Sequence, residues 1–287
     1  MVGLSPAVLA RYPRFSLYNS PYTAHDEGCA IDLYPGSRAG SEATRETCTP
    51  SPVAGEVIET RTVTAPQKPY AVAHDYLIVV DTGDYLARML HVKPGVEIGD
   101  RVEVGDSLGE MVRSGFFAPW VANHIHLGFR PRDSNPVRAS GSLPIDLTVE
   151  IEPLAWDGGG RVVATGDTFV VLDSPTHPAP GERFAGIAGT VDGESVVMDG
   201  GLPHYEGGGA LCRNGDRSPD SVSLAGSAVG VADGRTVTWD DVEVYANGAP
   251  ITGISLFVAR EQFGAKLVCP GHDFSVGDSI SMSIRYR

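Results

Sequence analysis

The chain has 287 residues, a formal net charge of −14 and 42% hydrophobic residues. That length holds one large or two ordinary domains with real cores. The acidic balance, with lysine only at Lys68, Lys93 and Lys266, argues against nucleic acid or an anionic membrane as the main partner, and no stretch approaches the roughly 20 consecutive apolar residues that span a bilayer.

Glycine (35) and proline (21) are abundant, and turn signals recur every ten residues or so. The pattern predicts an all-β chain of many short strands. The N-terminus, MVGLSPAVLARYPRF, lacks a basic segment before its brief apolar run, so no secretory signal is read and a cytoplasmic location is expected if the chain is complete. Residues 1–20 read as a short helical or irregular lead-in.

The run Ala30 to Tyr34 reads as a strand with Asp32 among apolar neighbours. An acid in that setting needs a partner, usually a cation or a metal; the plainer reading is a cap for the turn at Pro35-Gly36. His25 precedes Asp32 by seven residues. Straight β alternation puts an odd separation on opposite faces, so Asp26-Glu27-Gly28 must turn or bulge if His25 and Asp32 are to meet one ion. Asp26 or Glu27 could also take the place of His25.

Residues 36–50 read as a surface loop. From Ser51 the chain becomes regular: SPVAGEVIETRTV, DYLIVVDTGDYLARMLHV, GVEIGDRVEVGDSLGEMV. The stretch Asp75 to Leu90 predicts a hairpin around Thr82-Gly83-Asp84. The repeated V-x-x-G-D pattern places tight turns that need positive φ, as a compact β-barrel requires at its corners. His91 stands where the second hairpin strand passes into a loop, a position active-site groups favour. His74 reads as a surface histidine.

Residues 113–123 form an apolar loop in which Phe116, Phe117 and Trp120 are expected to pack over the barrel end rather than wall a groove. The run Val121 to Phe129 reads as a strand. Alternation puts His124 and His126 on one face, with Ile125 and Leu127 on the other. Two imidazoles so placed can divide a metal site between them, one binding the ion and the other handling a proton.

A boundary is expected near 146–155, giving domains 1–148 and 149–287. The second half is again β-rich and shows no convincing repeat of the first. Its histidines, His177, His204 and His272, have no neighbour at ligand spacing. It is expected to be a small β-sandwich with a binding role, through which a protein partner could dock. Cys29, Cys48, Cys212 and Cys269 lack zinc-knuckle spacing. In a cytosolic chain all four can be free thiols, and Cys29, near the possible site, is a minor candidate ligand.

His25, Asp32, His91, His124 and His126 therefore fall in one half. Two histidines and a carboxylate suit Zn²⁺ with an open position for water. The order H…D…LH…V-x-x-G-D-x-V-x-x-G…H-x-H resembles the M23 (lysostaphin/LytM-type) zinc metallopeptidase family. The matching text is Val96 to Gly109, the strand His124-Ile125-His126-Leu127, and SPVAGEVIE from Ser51 to Glu59; the resemblance covers roughly residues 20–135. It implies a duplicated-hybrid (barrel-sandwich hybrid) β-barrel and a peptide or peptidoglycan-like substrate. It also implies His25, Asp32 and His126 as zinc ligands, His124 as general base and His91 as the donor to the oxyanion, the last two being able to exchange.

The family generally acts outside the cell, whereas no export signal is read here. Two further departures stand out: the first His and Asp are seven apart where the family has four, and Gly128-Phe129 stand where many members carry Glu. They motivate an alternative, a catalytically inactive M23-like binding or structural protein. A lipoyl-type carrier needs lysine at the hairpin tip, and Thr82-Gly83-Asp84 offers none.

Overall fold

The computed structural model describes residues 1–36, 47–138, 140–211 and 219–287; Cys212 and most of the 36–50 loop lie outside them. The chain is all-β, and its helices, Pro6–Leu9 and Thr23–Asp26, are single turns. Its contacts gather into two units. One is built on residues 1–13, 29–36 and 47–148, the other on 14–28 and 149–287. Among the described residues no helix is long and apolar enough to cross a membrane.

In the first unit an antiparallel sheet runs in the order Arg101–Val102, Gly55–Thr64, His74–Asp81, Tyr85–Leu90, Ile125–Pro131, Ala30–Tyr34. The hairpin forms as the sequence predicts, with Leu77 opposite Leu90 and Asp81 opposite Leu86. Leu77-Ile78-Val79-Val80 is apolar without alternation, and all four residues are buried. A strand buried on both faces reads as such an unbroken apolar run. A second, three-stranded sheet joins Cys48–Pro50, Ser107–Met111 and Val92–Pro94.

The V-x-x-G-D turns share one device. The Asp100 carboxylate accepts the Glu97 amide at 2.8 Å and Asp106 accepts that of Glu103 at 2.8 Å, while Gly99 and Gly105 take φ of 97° and 101°. A side chain there is strained, so glycine is required. Ser275 and Asp278 repeat the device at 2.8 Å around Gly277, φ 100°.

The lead-in holds the short helical turn expected of it, Pro6–Leu9, and is otherwise more regular than expected. Val2–Leu4 pairs in parallel with Ile145–Leu147, Ser5 caps the helical turn, and Leu9, Tyr12, Phe15 and Leu17 are fully buried. Their apolar area makes this segment core.

In the second unit six strands close on themselves. Phe184–Val191 pairs with Asp220–Leu224, then follow Ser227–Asp233, Thr236–Trp239, Gly207–Leu211 and Glu194–Leu202, which pairs back to Phe184–Val191. Further strands flank this ring where a sandwich of two open sheets was expected. Closure removes exposed strand edges. Glu194–Leu202 exchanges one neighbour along its length, leaving Phe184–Val191 for Gly253–Leu256 at Gly200, whose φ is 133°. From there the sheet continues through Lys266–Val268 and Phe169–Leu172. Met198, Val222, Leu224, Val229, Val237 and Leu256 belong to the core of this unit.

Candidate metal centre

Asp32 lies mid-strand and is 2% exposed. Ile31 and Leu33 point to one face and are fully buried, so alternation turns Asp32 to the other. In the register of the sheet His126 is its direct partner. Its Oδ1 lies 3.2 Å from His126 Nδ1 and its Oδ2 3.3 Å from His124 Nε2. One carboxylate thus faces both histidines, as the shared face of the H-x-H predicts, and the turn-cap reading of Asp32 falls. The strand itself starts at Ile125, later than expected, leaving His124 at its threshold.

His25 reaches the same place. It sits on the turn Thr23–Asp26 and is buried, whereas Asp26 and Glu27, its possible substitutes, are exposed. The chain then reverses at Gly28, φ 62°, where an added Cβ would lie 2.6 Å from the Tyr18 hydroxyl. This is the turn that an odd separation demands. Ligand atoms of His25, Asp32 and His126 all lie within 4.8 Å of one another. Cys29 is outside that group.

The His25 Nδ1 is 2.5 Å from the Leu17 carbonyl. A carbonyl only accepts, so Nδ1 carries the proton and Nε2 is the bare nitrogen. Histidine ligands are commonly oriented this way. Two imidazole nitrogens and a carboxylate make a donor set that suits Zn²⁺, and the residues present therefore fit the metal.

His124 is buried and gives its Nδ1 proton to the Ala122 carbonyl at 2.9 Å. Burial pushes its pKa down to about 3, against the pull of Asp32. The ring is therefore neutral, with a bare Nε2.

His91 stands at the corner between Tyr85–Leu90 of the large sheet and Val92–Pro94 of the small one, with φ 71°. Such a backbone costs a non-glycine residue of order 1 kcal/mol or more, and strain of this kind gathers at functional sites. Its Nδ1 lies 2.6 Å from Asp75 Oδ2, which also accepts the Ser114 hydroxyl at 2.8 Å. Burial alone would raise the Asp75 carboxyl. The charge and hydrogen bond of His91, the Ser114 hydroxyl and the Tyr76 amide outweigh it and hold the carboxyl below its usual value.

The rings of His91 and His124 are 5.1 Å apart, and those of His91 and His126 5.9 Å. Phe117 packs at 4.6 Å from His91 and 4.4 Å from His124. It is buried, as the packing reading expects, yet what it packs on is the histidine cluster, and so it also walls the site. Sequence reasoning missed Asp75 and Ser114. The clue for Asp75 was an acid heading a buried apolar run, the same clue that singled out Asp32.

The remaining histidines behave otherwise. His74 is exposed, as expected. His177 is buried in the second unit and accepts the Ala179 amide at 3.1 Å; His272 is held by the Gly166 carbonyl at 2.9 Å. Of the other cysteines, Cys48 is exposed and Cys269 is a free, buried thiol pushed up to about 11 by burial.

The chain belongs to the DUF8155 family. The domain of unknown function (DUF8155) N-terminal domain matches residues 3–147, and the DUF8155 C-terminal domain matches residues 152–285. No curated protein matches. Among solved structures, the catalytic domain of the antimicrobial peptidase lysostaphin from Staphylococcus simulans, crystallized in the absence of phosphate, is similar over 49% of this chain and 93% of its own, at 18% identity and a TM-score of 0.30. So low a score carries no argument about the site.

Proposed function

We propose that the chain is a zinc-dependent hydrolase of peptide or amide bonds, with His25, Asp32 and His126 as the metal ligands. The observation that carries this reading is the gathering of those three side chains within 4.8 Å, beside two further imidazoles. Zinc held there would supply Lewis acidity and lower the pKa of a bound water to about 7.

The chain's own residues supply the proton chemistry. His124 is neutral and presents Nε2, so it accepts a proton or a hydrogen bond on the metal side. His91 is built for the opposite task. Asp75 fixes its Nδ1–H and orients the ring, so that Nε2, when it carries a proton, donates to the oxygen of the scissile carbonyl as negative charge grows there. Phe117 covers both rings, and a dry wall strengthens each of these interactions. The motif resemblance between Ser51 and Leu127 favours a peptide or peptidoglycan-like substrate.

The test is the zinc content of purified protein, with hydrolysis of glycine-rich peptides measured before and after chelation and after zinc is restored. Stoichiometric zinc and a chelator-sensitive, zinc-restored activity are expected. A protein that takes up no zinc overturns the reading.

A further inference from the structure

The second unit holds a buried carboxylate that the proposed chemistry does not use. Asp199 lies on the strand Glu194–Leu202 and is wholly buried. Its Oδ1 accepts the Ser16 hydroxyl at 2.6 Å, and its Oδ2 accepts the amides of Leu17 at 2.6 Å and Tyr18 at 3.0 Å. The Ser16 hydroxyl in turn accepts the Asn19 amide at 3.1 Å. Three donors converging on one carboxylate immobilise the backbone of residues 16–18.

Leu17 is used from both sides. Its amide donates to Asp199, and its carbonyl accepts His25 Nδ1 at 2.5 Å. The carbonyl selects the tautomer of His25 and the plane of its ring. The chain Asp199–Leu17–His25 is thus a continuous hydrogen-bonded support.

We infer that Asp199 is a positioning residue for the metal ligand His25, acting through the Leu17 peptide, so that a residue of the C-terminal family domain sets the quality of the metal centre. The inference rests on the zinc reading above. Outer partners of metal-bound histidines commonly govern affinity by 10- to 100-fold, on the order of what is expected here.

The experiment uses the full chain and zinc itself. Zinc affinity is read by competition with a chromophoric chelator for wild type, D199N, S16A and V229A. Val229 belongs to the core of the same unit, so V229A lowers stability while leaving in place the Asp199 hydrogen bonds to residues 16–18. The expected result is about 10- to 100-fold weaker binding for D199N, a smaller loss for S16A, and wild-type affinity for V229A. The visible spectrum of the cobalt-substituted protein is expected to shift in D199N and S16A but not in V229A.

If D199N fails to fold, S16A decides, because it removes only one of the three donors to Asp199, together with the Asn19 amide's bond to Ser16. Wild-type zinc affinity and an unchanged cobalt spectrum in folded D199N, or in S16A, overturn the inference. A wild type that binds no zinc instead removes the reading on which it rests, a result distinct from either.

Discussion

His91 Nδ1 and Asp75 Oδ2 lie 2.6 Å apart, with the carboxylate wholly buried at the head of the central hairpin. A buried carboxylate on the far nitrogen of a histidine fixes its tautomer and the plane of its ring. D75N keeps the shape but presents a neutral group. We expect kcat on an active peptide to fall by about 10²-fold or more, with zinc affinity unchanged. Equal kcat for D75N and wild type would remove His91 from the reaction.

Removing ligands one at a time separates the metal site from its surroundings. H25A, D32A and H126A are each expected to lose zinc at concentrations that saturate wild type, because three protein donors leave no redundancy. H124A and H91A are expected to keep the metal and lose turnover. Metal analysis after dialysis against a weak chelator reads both groups, and zinc retained by H25A would point to a site built on Asp32 and His126 alone.

Asp199 gives stability a pH dependence with a definite sign. Burial pushes its pKa up to about 6, outweighing the Ser16, Leu17 and Tyr18 donors that pull it down. The folded state therefore binds the proton more tightly than the unfolded one, whose carboxyl titrates near 3.9. Stability from this group is fully present below about pH 4 and is lost as pH rises through about 6, a change of about 3 kcal/mol. Other carboxylates act over the same range, so the quantity to measure is the urea-unfolding difference between wild type and D199N. Its shift in favour of D199N between pH 4 and 7 is the expected outcome, and a pH-independent difference would contradict it.

The left-handed backbone of His91, φ 71°, can be tested apart from its ring. Glycine adopts this region freely and alanine does not. Both H91G and H91A lose the imidazole. H91G is nevertheless expected to be more stable than H91A by about 1 kcal/mol, read as a higher melting temperature. Equal stability would mean the corner relaxes without cost.

Much of the first unit was legible because its signals are local. Period-two alternation placed Asp32, His124 and His126, and x-x-G-D turns announced positive φ at Gly99 and Gly105; outside that unit, the odd separation of His25 and Asp32 called for a turn within Asp26-Glu27-Gly28. Asp75 was not recognised, since an acid opening an apolar strand looks the same whether it faces solvent or a histidine sixteen residues on. Asp199 and the closed ring were invisible for a related reason. They depend on pairings across 182 residues in the case of Leu17 and Asp199, and on which strand edges meet.

By itself the sequence determined the all-β class and the turns, because each follows from backbone conformation and residue chemistry within a few positions, and its motif resemblance singled out His25, Asp32 and His126 as candidate ligands. Only the tertiary structure decided that His25 turns inward while Asp26 and Glu27 stay outside, that Asp75 backs His91, and that Asp199 grips the peptide holding His25. Those outcomes depend on burial and hydrogen bonding between segments far apart in the chain, where the free energy of satisfying a buried polar group, and not any local pattern, selects the partner.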